Sequence, residues 1–356
     1  MIQNENAPRP AARTRGAASG IGNAFHRMMQ IRGMGQVVSV TAALVLMSLV
    51  FALINDKFMT AQNITSLLRQ VAPILIIGMG QSYVLITGGI DLSIGSLVGM
   101  SAMMSATLMT HGVHALIALP LTILACLLVG LLNGTLIAQA KLPPFIATLG
   151  TMIMARGVAQ IVNGNMNTDQ ITAGGAEAIR DLFYYGKFLG VYTPVWLALV
   201  LFLVFNYILS STRTGRHIYA LGSNYEAARF SGVSVKWAMT KAYMISSFMS
   251  CMVGFILMAQ SGMGTMDAGT SYELNAVAAS VIGGVSTMGG QGLLFGTVVG
   301  ACIWGVLQNG LQFAGAPLAL KNIVVGIVVI VSVLIDRIAR SDALDLKKLF
   351  GRRAKA

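Results

Sequence analysis

Charged residues are scarce in this chain. Asp, Glu, Lys and Arg make up 10% of it, against about 25% in an ordinary soluble domain, which excludes a soluble globule. Acids are rarer still, 12 against 24 basic residues. No acids or histidines cluster at one depth, as a membrane enzyme acting on lipid or polyprenyl substrates would need. Only three cysteines occur, Cys126, Cys251 and Cys302, all within apolar runs. That odd, dispersed set gives neither a disulfide framework nor metal-ligand spacing. His111 and His114 are three apart but lack a third ligand, and His26 and His217 are isolated. There is no Gly-x-Ser-x-Gly elbow, zinc-protease motif or Walker phosphate loop, so ATP-driven work would require a separate ATPase chain. No short apolar region with a small-residue cleavage site follows the polar start, so no removed signal peptide is expected.

Apolar sequence is abundant, at 55%. Several runs approach the roughly 20 residues that cross a bilayer. Spans are expected near 37–54, 71–86, 94–110, 116–138, 145–162, 195–209, 242–260, 274–285, 293–311 and 323–335. Residues 63–69 are expected to form a separate interfacial helix before the second span. The 22 methionines read as flexible apolar filling. The net charge of +12 resides mainly in the ends and one central loop, a pattern of cytoplasmic flanks and not of a nucleic-acid-binding face. The basic N-terminal tail (1–35), the 211–241 loop and the basic C-terminal tail (337–356) are then cytoplasmic. The acidic 163–187 and 261–273 loops lie outside. Ten crossings, around a permease domain of residues 36–336, satisfy all five assignments, provided the short 274–285 piece counts as one.

The most unusual stretch is Thr87-Gly-Gly-Ile-Asp-Leu-Ser-Ile-Gly-Ser-Leu-Val-Gly99, which sets Asp91 between two apolar runs. An ionisable group at such a place is a functional candidate by default. Gly88 and Gly89 break any helix arriving from the left, and Asp91 or Ser93 can cap the next one. Broken helices with polar ends build many transporter sites; a plain capped turn at the membrane surface is the alternative. Gly283–Gly290 echoes this break, and Gly130–Gly134 echoes Gly305–Gly310, but at different offsets, so no simple tandem duplication is shown. Glycines four apart at Gly95 and Gly99, and at Gly292, Gly296 and Gly300, read as helix-packing faces within the chain. Asn133, Asn309, Gln308 and Gln81 are amides within spans, able to join helices or to line a polar path.

The second unusual stretch is the basic loop. Ser223 or Asn224 can cap a short helix with Glu226 in its first turn, and Gly232 can end it. Such a helix suits docking to a soluble partner, or it lies on anionic lipid with Arg216 and Arg229 facing headgroups.

Four blocks in order carry a family likeness over residues 38–336: Gly88-Gly-Ile-Asp-Leu-Ser-Ile-Gly95; Leu142-Pro-Pro-Phe-Ile-Ala-Thr-Leu-Gly150 with Arg156-Gly157; Gly215-Arg-His-Ile-Tyr-Ala-Leu-Gly222 with Glu226-Ala-Ala-Arg229 and Ser231-Gly-Val233; and Glu273-Leu-Asn-Ala276 with Val281-Ile-Gly-Gly284 and Gly289-Gly-Gln-Gly292. Together they resemble the sugar-type permease subunits of bacterial ABC importers, the ribose, xylose, arabinose and galactose group. Asn275 and Gln291 depart from the residues common there.

The resemblance implies an all-α, multi-pass inner-membrane permease of about ten helices in two loosely related halves, not an enzyme. A second permease copy, as homodimer or close heterodimer, would enclose a central path. A periplasmic sugar-binding protein would deliver the solute. A cytoplasmic sugar-type ATPase would hold ATP and Mg, the permease itself binding no cofactor. Asn224, Glu226, Ala227, Ala228, Arg229 and Phe230 would couple to that ATPase. Expected pathway residues are Asn133, Phe145, Thr148 and Asn309, while Gly88, Gly89, Asp91 and Ser93 orient the helix break. The solute would be a monosaccharide or related polyol. The rival reading is an ion-coupled secondary transporter using Asp91 as its coupling carboxylate.

Overall fold

Apolar runs become helices here, and glycine, proline and capping side chains set where they stop. The computed structural model describes residues 34–317 and, beyond them, 319–321, 323, 324, 326–328, 330, 331 and 334. Nearly all of the N-terminal tail, the C-terminal tail and part of the last expected span lie outside the described residues. The helices are α1 (Met34–Ile54), α2 (Ala61–Ile86), α3 (Ile94–Thr110), α4 (Ala115–Ala138) and α5 (Pro144–Ile161). A long connection follows, with the one-turn α6 (Ala176–Arg180), a π-helical turn (Asp181–Tyr185) and a small antiparallel hairpin, β1 (Lys187–Phe188) with β2 (Val191–Tyr192). Then come α7 (Thr193–Ser211), α8 (Arg213–Ser223), α9 (Tyr225–Phe230), α10 (Val235–Ser261), α11 (Tyr272–Ile282) and α12 (Leu294–Phe313).

Seven of these helices are long and apolar enough to cross a membrane. The shorter α3, α11 and the helix around 319–328 occupy the other places in the ten-span reading. In one respect the expectation is corrected: residues 63–69 are the first turns of a single 26-residue α2, which runs on through Pro73. No glycine or proline separates Arg69 from the apolar run, so nothing stops the helix there.

Burial separates core from rim. In α10, 78% of the apolar window is buried, against 11% in α1. α10 packs on α4, α2 and α3, while α11 and α12 pack on α2. Leu53 on α1 and Leu116 on α4 stand 88% and 80% exposed, as lipid-facing leucines do. Small residues let the core helices approach. A methyl group on Gly296 or Gly300 would overlap the backbone of α11 at Gly283 or Ala279, so these glycines serve packing within the chain. Hydroxyls add glue: Ser82 on α2 hydrogen-bonds Ser280 of α11 (3.1 Å) and Thr297 of α12 (2.8 Å).

α11 is short because the chain before it does not stay at one end of the bundle. Gly264 lies against Met103 and Ala106, Ala268 against Gly99, and Gly269 against Gly95 and Val98. Residues 264–269 therefore run antiparallel along α3 before α11 begins. Arg156 of α5 pins this segment, donating to the carbonyls of Met266 (2.6 Å) and Ala268 (3.0 Å). These bonds satisfy backbone groups that no helix pairs, a requirement within a bilayer.

Candidate functional site

α2 ends as its sequence dictates. Gly88 takes φ +82°, its N–H donates to the Leu85 carbonyl (2.8 Å), and the Gly89 N–H donates to Val84 (3.2 Å). That is a Schellman stop with glycine in the left-handed position. α11 ends the same way: Gly284 has φ +89°, its N–H donates to Val281 (2.9 Å), and Val285 donates to Ser280 (3.0 Å). The echo between the two glycine-rich stretches thus reflects a shared helix stop. The fold sets the stops side by side, with the Gly290 N–H donating to the Ile86 carbonyl (2.8 Å).

Beyond the first stop, Asp91 is fully buried and accepts three hydrogen bonds. The Ser93 N–H (2.9 Å) and hydroxyl (2.6 Å) donate to Oδ1, and the Ser246 hydroxyl of α10 donates to Oδ2 (2.7 Å). Ser93 occupies the N-cap position of α3, yet its side chain makes no cap bond; the carboxylate two residues earlier holds the turn instead. The network continues outward. Asn133 of α4 donates to Ser93 Oγ (3.0 Å), and Thr151 of α5 donates to Asn133 Oδ1 (2.7 Å). Tyr243 of α10 donates to the Ile90 carbonyl (3.2 Å), and Thr148 touches the same oxygen at 3.5 Å. The break is thereby tied to α4, α5 and α10 through polar groups, each with a partner.

The expected pathway residues fall in different places. Asn133 and Thr148 are fully buried beside the break, and Phe145 is 55% exposed on α5. Asn309 lies elsewhere, in a reciprocal amide pair with Asn63 of α2 at 3.0 and 3.2 Å. His111 and His114 do not converge: His111 Nδ1 lies 2.8 Å from the Thr107 carbonyl, and His114 caps α4 by accepting from Leu116 N–H. Among the described residues no cluster of His, Cys, Asp and Glu is placed to hold a metal ion.

The basic loop folds as two helices, where the sequence suggested one. Asn224 caps α9 by accepting from the Ala227 N–H (2.9 Å), and Gly232, at φ +79°, sits just past its end. Ala228 faces inward onto Leu221, Val235 and Ala238. Phe230 is 85% exposed, Trp237 60% and Tyr225 41%, with a surface Glu226–Arg229 pair at 3.9 Å beside them. α8 carries α9 and rests on both helix stops. Gly222 lies so close to the Ile86 carbonyl and Gly290 N–H that a methyl group there would overlap both. Tyr219 donates to the Gly292 carbonyl (2.6 Å), and burial pushes its phenol pKa up to about 12. Sequence reasoning found the stops and the cap but missed these contacts, since nothing local in Gly215–Gly222 signals a partner at Ile86.

With the geometry established, known proteins give it a family. A profile of the family described as branched-chain amino acid transport system / permease component matches residues 63–333. The ribose import permease protein RbsC of Escherichia coli (strain K12) is 37% identical over 301 residues, 84% of this chain and 92% of that protein. RbsC of Bacillus subtilis is 36% identical, over 86% of this chain and 94% of that protein. The fructose import permease protein FrcC of Rhizobium meliloti is 32% identical, over 84% and 85%. No solved structure matches. The matches bear out the resemblance to sugar-type ABC permeases, and nothing among them favours ion coupling. The chain belongs to this permease family.

Proposed function

We propose that the chain is the membrane-spanning subunit of an ATP-driven importer for a monosaccharide or related polyol. It works as one of two permease copies, identical in the simplest case. A cytoplasmic ATPase docks on α9, a binding protein delivers the sugar at the opposite end, and both termini are cytoplasmic. The relatives' names, import permeases for ribose and fructose, support the solute class. The observation that carries the mechanism is the seating of α8. An exposed aromatic tip on α9 is joined through α8 to the stops of α2 and α11. A push on α9 therefore reaches two broken helices at once. ATP and Mg stay on the partner.

Asp91 orients the start of α3 in this reading, its oxygens being occupied by three donors from the chain itself. Phe145 offers surface to the path in this conformation. Asn133, Thr148 and Asn309 reach solute only when the helices that bury them part, which alternation supplies.

Copurification tests the assignment. A tagged chain should retain an ATPase subunit, and Glu226→Lys with Arg229→Glu should release it and abolish uptake. Uptake should require ATP and survive collapse of the ion gradient. Retention of full uptake by the double variant would remove α9 from coupling, and uptake lost with the gradient would restore the secondary-transporter reading.

A further inference from the structure

At the end of the bundle away from α8 lies a cavity of about 350 Å³ lined by Arg69, Gln260, Tyr272, Trp304, Gln308 and Gln312, among others. Arg69 stands 17 residues before Ile86 on α2, so the cavity is about 25 Å from the α8 contact at 1.5 Å per residue. Its volume falls within the range of small-molecule sites. Its chemistry is unusual for a packing defect. Four glutamines, Gln70 among them, present amide donors and acceptors, and tyrosine and tryptophan supply flat apolar faces. No acid lines it. Two buried donors, Arg69 Nε and the Trp304 indole N–H, have no hydrogen-bond partner among the described residues. A buried unpaired donor costs about 1–3 kcal/mol, so such groups normally meet water or a ligand.

The guanidinium is also held in place. It stacks over Tyr184 at 4.7 Å and Tyr192 at 4.0 Å, both from the 176–192 connection. Tyr185 of the same connection donates to the Gln260 carbonyl (2.9 Å), beside the cavity. The connection thus forms one wall, while α2, α10, α11 and α12 supply the others. The two rings take the guanidinium face-on and leave Arg69 Nε as a donor, while Lys321 is a second cation in the lining, so phosphate is the control that separates anion binding from binding of a neutral solute.

We infer that this cavity is a low-affinity reception site for a neutral polyhydroxylated solute, a monosaccharide or linear polyol. Hydroxyl groups would pair with the glutamine amides and with Arg69 Nε and Trp304 Nε1, and the apolar face of the sugar would lie on the aromatic rings. The site rests on the import reading above, because only that reading turns this end toward the binding protein. Affinity must be weak, on the order of 1–10 mM, for the solute to move on.

Trp304 makes the site directly observable. In a full-length Trp196→Phe, Trp237→Phe background held in lipid nanodiscs, without ATPase or binding protein, Trp304 emission is titrated with D-ribose, D-allose, D-fructose and D-galactose. At least one should give a saturable change, and Gln308→Ala or Gln312→Ala should each weaken it about tenfold, the scale of one or two lost hydrogen bonds. Sodium phosphate should give none. No saturable change with any of the four, or a response to phosphate instead, overturns the inference. Sugar-dependent emission in a chain that shows no ATP-driven uptake would leave the site standing and sink the importer reading. ATP-driven uptake with silent Trp304 and unaffected glutamine variants would do the reverse.

Discussion

The two glycine-rich turns share a helix stop and differ in what holds them afterwards. The turn after α2 places a buried carboxylate beyond its glycines and binds it to Ser93 and Ser246, with Asn133 and Thr151 behind. The turn after α11 has no carboxylate. It closes on itself, Ser286 N–H donating to the Gln291 carbonyl (3.0 Å) and Met288 N–H to Ser286 Oγ (3.1 Å), and it is held from outside by Tyr219. One turn is thus fixed to the helical frame of α4, α5 and α10, and the other to the helix that carries α9. The difference teaches where motion can enter. A displacement of α8 moves the second turn directly and strains the first against a frame that resists.

The largest expected effect comes from destroying the framed turn. Asp91→Leu leaves the Ser93 N–H and the Ser93 and Ser246 hydroxyls without their acceptor. At about 1–3 kcal/mol for each buried unpaired group, folded protein should be lost. Size-exclusion of detergent-extracted protein reads this, and a monodisperse, stable variant would show that the carboxylate is dispensable. Ser286→Ala in the other turn should cost only about 1 kcal/mol, and the contrast between the two is the sharper test.

Next is Gly222→Val, which cannot seat α8 on the Ile86 carbonyl and Gly290. Assembly and ATP hydrolysis should persist while ATP-driven uptake falls to background in proteoliposomes. Normal uptake would mean that α8 does not transmit through the stops. Smaller again is Tyr219→Phe, which removes one hydrogen bond worth about 1 kcal/mol, so uptake should fall a few-fold. Because the Tyr219 pKa is raised to about 12, the phenol keeps its proton, and its bond to Gly292, well above neutral pH. This bond contributes fully below the ordinary tyrosine pKa near 10 and is lost only as pH rises through the folded value. The ratio of wild-type to Tyr219→Phe uptake should therefore stay flat between about pH 6 and 9. A slope in that interval would place a different titrating group at the joint.

Much of this was readable in the chain. Gly88-Gly89 before Asp91 announces a stop followed by a capped start, because glycine tolerates the left-handed turn and a carboxylate accepts free N–H groups. Asn224, Glu226 and Gly232 announce α9 in the same local way. What could not be read are contacts made by distance. Nothing near Gly222 points to Ile86, and nothing near Arg69 points to Trp304. The descent of residues 264–269 along α3 was likewise hidden, since it depends on Arg156 reaching carbonyls about 110 residues away. Local chemistry sets the punctuation of a membrane chain, and the meeting of its distant segments sets the site.

Asp91→Asn tests the central claim most directly. Asn keeps one acceptor oxygen for Ser93, and the Ser246 hydroxyl, as both donor and acceptor, can turn to accept from the new amide. An orienting Asp91 therefore predicts intact assembly and ATP-driven uptake within a few-fold of the parent. Abolished uptake in a fully assembled Asp91→Asn transporter would contradict the account and return the carboxylate to solute or proton handling.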